Sequence, residues 1–307
     1  MPPPVFLVGP TGSGKTSVAL ALVPYLNAEI ISGDSMQVYR GMDIGTAKPT
    51  KNEQLQVSHH LIDIVDLSCR YNAARFASDA GCIIADIQNR NKLPLVVGGT
   101  GLYIKALIDG LFSGPGAVPR IRMELEKQAE QEGLPVLYNE LISLDPASAL
   151  RIQAQDKRRI IRALEVFRVT GRTITELQTQ WKESKPAVII GLRREREDLY
   201  NRINCRVEVM FQKGLVDEVK CLLDKGLAGN KTAAKALGYQ ETMNYLAGKY
   251  GLDRTKELIK QHTRQLAKRQ LTWFNKDDRV KWIFISKDES EDAVVSRIRD
   301  ILRGKIN

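Results

Sequence analysis

The run Gly9-Pro10-Thr11-Gly12-Ser13-Gly14-Lys15-Thr16 has the spacing G-x-x-x-x-G-K-[ST] and stands between an apolar stretch, Val5–Val8, and a helical pattern over Ser17–Val23. That context is the one the pattern needs to act as a phosphate-binding loop. Its glycines let backbone N–H groups wrap an anion, and the helix N-terminus adds the positive end of a dipole. Lys15 adds a full charge, and the Thr16 hydroxyl can hold Mg²⁺. A di- or triphosphate is the expected ligand, with nothing in the pattern to choose among phosphate compounds. Two further segments reach the same edge of the expected sheet. Ile30-Ile31-Ser32-Gly33-Asp34-Ser35 puts a carboxylate just past a strand, where Asp34 can be a base, a metal ligand or a turn residue. Pro94-Leu95-Val96-Val97 runs into Gly98-Gly99-Thr100-Gly101, which either brings backbone and the Thr100 hydroxyl to the ligand or makes a tight turn.

Positioning these groups requires a sheet whose strands end together. Short apolar runs of buried parallel-strand type occur at Val5–Val8, Glu29–Ser32, Leu61–Val65, Pro94–Val97, Val188–Leu192 and Val280–Ile285. Helical periods fall between them at Ala73–Asn91, Gly101–Ile108 and Glu195–Phe211. The alternation predicts an α/β fold of P-loop type, a doubly wound parallel sheet. Gly110–Gly116 reads as a loop by composition, and 117–185 as helices without a strand. The predicted organisation is therefore a first core part (1–114), an α-helical insertion domain (115–186) and a completion of the core with C-terminal helices (187–307).

The chain of 307 residues carries 46 Lys+Arg against 36 Asp+Glu, a net charge of +10. The excess is local. Residues 151–172 hold seven basic residues against two acidic, and residues 254–281 hold nine against three. Lys260, Arg264 and Lys268 recur every fourth residue, the spacing of a basic stripe on one helix face, with Ile259, His262, Leu266 and Trp273 on the other. Two basic patches point toward a polyanion, whereas a single one reads more simply as a solvated face. Hydrophobic content of 43% excludes a disordered chain, and no apolar run approaches the roughly 18 residues that span a bilayer. Four scattered cysteines and three histidines suggest neither a disulfide framework nor a structural metal. Met1–Gly9 reads as a first strand and not as a secretory leader, so a cytoplasmic protein is expected, and nothing suggests an obligate oligomer.

Beyond the P-loop, the sequence contains Asp34-Ser35-Met36-Gln37-Val38-Tyr39-Arg40, Gly45-Thr46-Ala47-Lys48-Pro49, His59-His60-Leu61-Ile62-Asp63 and Gly98-Gly99-Thr100-Gly101-Leu102-Tyr103. Arg162-Ala163-Leu164-Glu165-Val166, Gly171-Arg172-Thr173, Lys235-Ala236-Leu237-Gly238-Tyr239 and Ala267-Lys268-Arg269-Gln270-Leu271-Thr272-Trp273-Phe274 follow in order. With these motifs, nearly the whole chain resembles the bacterial tRNA dimethylallyltransferases, also called tRNA isopentenyltransferases. The resemblance implies a prenyltransferase that moves the dimethylallyl group of dimethylallyl diphosphate to N6 of the adenosine 3′ to a tRNA anticodon. It implies that Gly9 to Thr16 cradle the donor's diphosphate, with Lys15 and Mg²⁺ at Thr16 stabilising the leaving charge. Asp34 would accept the N6 proton, Thr100 would hydrogen-bond in the same pocket, and Ser35, Met36 and Gln37 would line the entry of a flipped base. Arg158, Arg159, Ile160, Ile161 and Arg162 match the family's tRNA-contacting stretch. Arg206 would reach the diphosphate, with Arg202 nearly as good a candidate. The two basic patches would then grip the anticodon arm of one folded RNA, by a protein acting as a monomer.

The chain departs from the family where a His-Pro-Asn-Asp run is usual, reading Gln153-Ala154-Gln155-Asp156 instead, and Leu67-Ser68-Cys69-Arg70 replaces a proline-containing acidic turn. It ends at Asn307 without the zinc finger of eukaryotic members, as expected of a bacterial-type enzyme. His59 and His60 are expected to serve the structure at a strand start. The strongest alternative is a P-loop kinase of a nucleoside or small metabolite, for which Asp34 would also suit as base. An adenylate isopentenyltransferase or an RNA-binding ATPase are further rivals; of these, neither the kinase nor the adenylate enzyme needs the basic patches.

Overall fold

Six strands, β1 (Val5–Val8), β2 (Ala28–Ser32), β3 (His59–His60), β4 (Leu93–Gly98), β5 (Val188–Arg194) and β6 (Val280–Ile285), form one sheet in the computed structural model of the chain. The described residues are 2–111, 114–178 and 184–304. The loop expected at Phe112 and Ser113 and the helical reading of 179–183 fall outside them. Strand order is β3-β2-β4-β1-β5-β6, and every pairing is parallel. All residues of β1 and β2 are buried, as expected of parallel strands covered on both faces.

Helices Lys15–Leu26 and Glu291–Leu302 cover one face, packing Val18, Leu22, Val294 and Ile298 against Leu7, Ile30, Leu95 and Ile190. On the other face, Phe76 and Ile87 of helix Ala73–Asn89 and Tyr103 and Leu107 of helix Gly101–Ile108 pack with Phe6, Ile31 and Val96. Each such buried side chain contributes roughly 1.5–3 kcal/mol relative to exposure, enough together to fix the sheet that carries the site. The fold is the doubly wound parallel α/β architecture expected from the sequence. One strand is displaced from its expected place. The apolar run Leu61–Val65 is not a strand, because Leu61 (φ 61°) and Asp63 (φ 55°) lie in the left-handed region, and pairing with β2 stops at His60.

Residues 1–108 with 185–307 form one compact unit and 109–184 another. The second is helical. Leu125 of helix Pro119–Gln131, Leu137 and Leu141 of helix Leu134–Leu144, and Ile160, Ile161 and Leu164 of helix Lys157–Thr170 make its core. Asp156 caps the last of these helices by accepting the Arg159 amide at 3.1 Å, and Gly171 ends it with φ 67°.

Candidate active site

The loops after the carboxyl ends of β1, β2 and β4 line one crevice, and Arg202 and Arg206, from the helix that follows β5, close it from the side. After β1, Gly9 (φ 145°), Gly12 (φ 85°) and Gly14 (φ 98°) adopt the backbone conformations that let the loop turn back on itself. A Cβ on Gly9 would also lie 2.6 Å from the Leu192 carbonyl, so glycine is required there twice over. Ser13 is buried, with its Oγ lacking a hydrogen-bond partner among the described residues. Lys15 folds under the loop and donates to the carbonyls of Gly9 (2.9 Å) and Pro10 (2.8 Å). Burial, helped by the nearby Arg206 and opposed by Asp34, pulls its pKa down to about 7. Thr16 is exposed and lines the same 260 Å³ recess as Lys15 and Gly12.

Three arginines ring this loop. Arg194, at the end of β5, donates to the Ser13 carbonyl at 3.0 Å and pairs with Asp198 at 3.0 Å. From helix Arg196–Gln212, Arg202 donates to the Gly12 carbonyl at 3.0 Å and Arg206 to the Thr11 hydroxyl at 3.3 Å. Burial first, then the Arg194 charge on Arg202 and the Arg202 charge on Arg206, lower the pKa of both guanidinium groups. Crowded cations of this kind favour an anion among them. The sequence left Arg202 and Arg206 as alternatives, and the fold brings both to the recess. It missed Arg194, a residue with no motif of its own.

Asp34 follows β2. Its Oδ1 accepts the amides of Met36 (2.8 Å) and Gln37 (3.4 Å), a local turn that leaves Oδ2 without a partner among the described residues. Thr100, after β4, accepts the Ser35 amide at 3.2 Å, so the loops after β2 and β4 brace each other. Asp34 lines both the P-loop recess and an adjoining cleft of 610 Å³, onto which Ser35, Met36 and Thr100 also open, whereas Gln37 lines the recess alone. Thr11, Gly99, Arg206 and Gln270 also belong to both spaces. The P-loop recess and the larger cleft thus share one wall, with Asp34 in it.

Two positioning residues carried no chemical signal in the sequence. Gln270, on helix Leu252–Phe274, accepts the Thr11 amide at 2.8 Å and donates to the Gly99 carbonyl at 3.0 Å, tying the loops after β1 and β4 together. Glu218 accepts the amides of Asp43 (3.2 Å), Ile44 (2.7 Å) and Gly45 (3.2 Å) and the Tyr239 hydroxyl (2.6 Å), which fixes the loop below the cleft. His60 bonds Glu29 at 2.8 Å. His59 donates Nδ1–H to the Val57 carbonyl at 2.7 Å and borders the recess.

The basic patches resolve unevenly. Lys260 pairs with Glu208 (2.8 Å) and Glu257 (2.7 Å), and Arg264 donates to Asn204 at 2.7 Å, so most of the expected stripe lies against helix Arg196–Gln212 instead of facing solvent. Lys268 and Arg269 remain exposed. In the helical unit, Arg158 and Arg159 are exposed, whereas Ile160 and Ile161 are core residues. Arg162 turns inward, donating to Glu165 at 2.8 Å and to the Pro115 carbonyl at 2.6 Å. Burial pushes the Glu165 carboxyl up, yet Arg162, the Val118 amide and Arg122 outweigh it and hold the group below its usual pKa.

Comparison with known proteins agrees with this geometry. Residues 37–277 match the family model described as IPP transferase. The chain is 48% identical over 282 residues to a tRNA dimethylallyltransferase of Geobacter sulfurreducens, covering 91% of each. It is 45% identical over 307 residues to that of Bacillus velezensis, covering 99% of this chain and 98% of the relative. A crystal structure of the full-length tRNA isopentenylpyrophosphate transferase of Bacillus halodurans superposes with TM-score 0.74 at 41% identity, covering 100% of this chain and 97% of that one. A eukaryotic dimethylallyltransferase described as acting on tRNA superposes with TM-score 0.84 at 27% identity, covering 99% and 80%. Among the described residues no helix is long and apolar enough to cross a membrane. The chain belongs to the IPP transferase family, that of the tRNA dimethylallyltransferases.

Proposed function

We propose that this protein transfers the dimethylallyl group of dimethylallyl diphosphate to N6 of the adenosine on the 3′ side of a tRNA anticodon. The observation that carries the reading is the shared wall: Asp34 faces both the anion recess and the adjoining cleft. Family membership favours this over a P-loop kinase, which the same recess alone would suit.

The chemistry follows from the groups present. The N6–C1 bond forms as the allylic C1–O bond breaks, and diphosphate departs with the bonding electrons. Lys15, Arg202 and Arg206, with the free amides at the start of helix Lys15–Leu26, receive that charge in a preorganised setting. Asp34 Oδ2, left open by the turn, accepts the N6 proton, while Thr100 steadies the loop that carries Asp34. Thr16 offers a hydroxyl beside Lys15, and the described residues contain no group of three or more His, Cys, Asp or Glu side chains able to hold a metal. That donor set fits Mg²⁺ bound through one hydroxyl and the donor's own phosphate oxygens, where it would supply charge neutralisation. In the helical unit the exposed Arg158 and Arg159 serve as phosphate contacts for the RNA, with Arg162 holding the helix that presents them. The protein acts as a monomer, each copy carrying a complete site.

Incubation with labelled dimethylallyl diphosphate and an unmodified anticodon stem-loop, AMP or ATP separates the readings. Label in the stem-loop alone is expected. Label in AMP, or phosphate release from ATP without labelled RNA, would reject the proposal.

A further inference from the structure

The cleft onto which Asp34 opens also carries a polar pair that the transfer reaction as described leaves unused. His262, from helix Leu252–Phe274, and Glu241, from helix Tyr239–Leu246, both line it. His262 Nδ1 lies 2.6 Å from Glu241 Oε1, and Glu241 Oε2 accepts the Gly238 amide at 2.8 Å. A carboxylate only accepts, so the proton of a neutral ring sits on Nδ1 and Nε2 is left with a lone pair. The Glu241 side chain is 9% exposed and that of His262 41%, an anchored base with an open imidazole above it. Nε2 has no hydrogen-bond partner among the described residues. Lys235, Arg206 and Arg269 supply the same cleft with cations for phosphate, so His262 adds what they lack, a fixed acceptor.

We propose that His262, oriented by Glu241, is a positioning residue for the RNA acceptor. Its Nε2 accepts a hydrogen bond from a donor group of the RNA, a ribose 2′-hydroxyl or an exocyclic base amine. The inference rests on the functional reading above and adds a contact to it. A purely structural tie between the two helices would need Nδ1 alone, and this sets the test. His262→Asn keeps a donor for Glu241 and removes the outer acceptor, whereas His262→Ala removes both. For H262N, KM for the stem-loop is expected to rise roughly 3- to 10-fold, the size of one net hydrogen bond, while kcat and KM for the donor stay within about twofold. Stem-loops with single 2′-deoxy positions, or with purine in place of adenine, identify the source, because the matching analogue abolishes the difference between H262N and wild type. Imidazole ¹⁵N spectra give an independent readout, since the chain has three histidines and His60 is held by Glu29. RNA is expected to shift His262 Nε2 without moving His60. Active wild-type protein with an H262N variant of unchanged KM, or an Nε2 resonance indifferent to RNA, overturns the inference alone. Wild-type protein that prenylates no RNA overturns the functional reading and this inference with it.

Discussion

Lys15 provides a quantitative test of how the site is prepared for its ligand. Its ammonium is partly discharged near neutrality because burial and Arg206 depress the pKa to about 7. A diphosphate bound in the loop restores the charge, so binding above that pH must take up a proton. The sign follows directly: the part of donor affinity that depends on the Lys15 ammonium is fully present well below pH 7 and is lost as pH rises through 7. With the donor's own phosphate fully ionised above about pH 7, the ammonium fraction falls from about one-half at pH 7 to about one-hundredth at pH 9. Affinity should therefore drop about 50-fold over that interval, equivalent to about 2.3 kcal/mol. Calorimetric titration with dimethylallyl diphosphate in two buffers of different ionisation enthalpy measures both quantities, with uptake of about 0.9 proton per donor expected at pH 8. Lys15→Arg keeps its charge throughout and should show no such slope, whatever its absolute affinity. A wild-type affinity that is flat from pH 7 to 9, with no proton uptake, would refute the reasoning.

Asp34→Asn preserves an acceptor for the Met36 and Gln37 amides but not the proton-accepting oxygen, so single-turnover prenyl transfer should slow by roughly 10²–10⁴-fold with donor binding intact; an unchanged rate would remove Asp34 as the base. Replacing the exposed Arg158 and Arg159 by Gln should weaken RNA binding and flatten the slope of log K against log salt by about 0.7–0.9 for each phosphate no longer neutralised. A slope equal to that of wild type would show that they touch no phosphate. Arg162→Met should behave differently, lowering urea-unfolding stability by on the order of 3 kcal/mol because the buried Glu165 carboxylate is deprived of one of its two arginine partners. An unfolding midpoint like that of wild type would argue against that structural role.

Local patterns were the readable part of the site. Eight contiguous residues specify the phosphate loop, and a carboxylate or hydroxyl just past a buried strand has few places to go in a parallel sheet, so Gly9–Thr16, Asp34 and Thr100 could be placed without coordinates. Periodicity identified the helix bearing Lys260 and Arg264 but not what lies across from it. Glu208 and Asn204, on another helix, turn a nominal RNA-binding stripe into an internal seam. Arg162 illustrates the same gap, since charge in a sequence does not reveal the buried carboxylate that neutralises it. Gln270 bonds Thr11 across 259 positions, a distance at which a single sequence carries no signal. The apolar run at Leu61–Val65 resembled a strand because side-chain type says little about the positive φ angles at Leu61 and Asp63.

The central claim is that the recess beneath Lys15 and the cleft beside Thr100 are two halves of one prenyl-transfer site. Mass mapping of an anticodon stem-loop after single turnover with dimethylallyl diphosphate, with parallel assay of released diphosphate, tests it most directly. One dimethylallyl group on N6 of the adenosine 3′ to the anticodon, matched by one diphosphate released, is the predicted result. Diphosphate released without modified RNA, or a prenyl group on any other nucleotide, would contradict it.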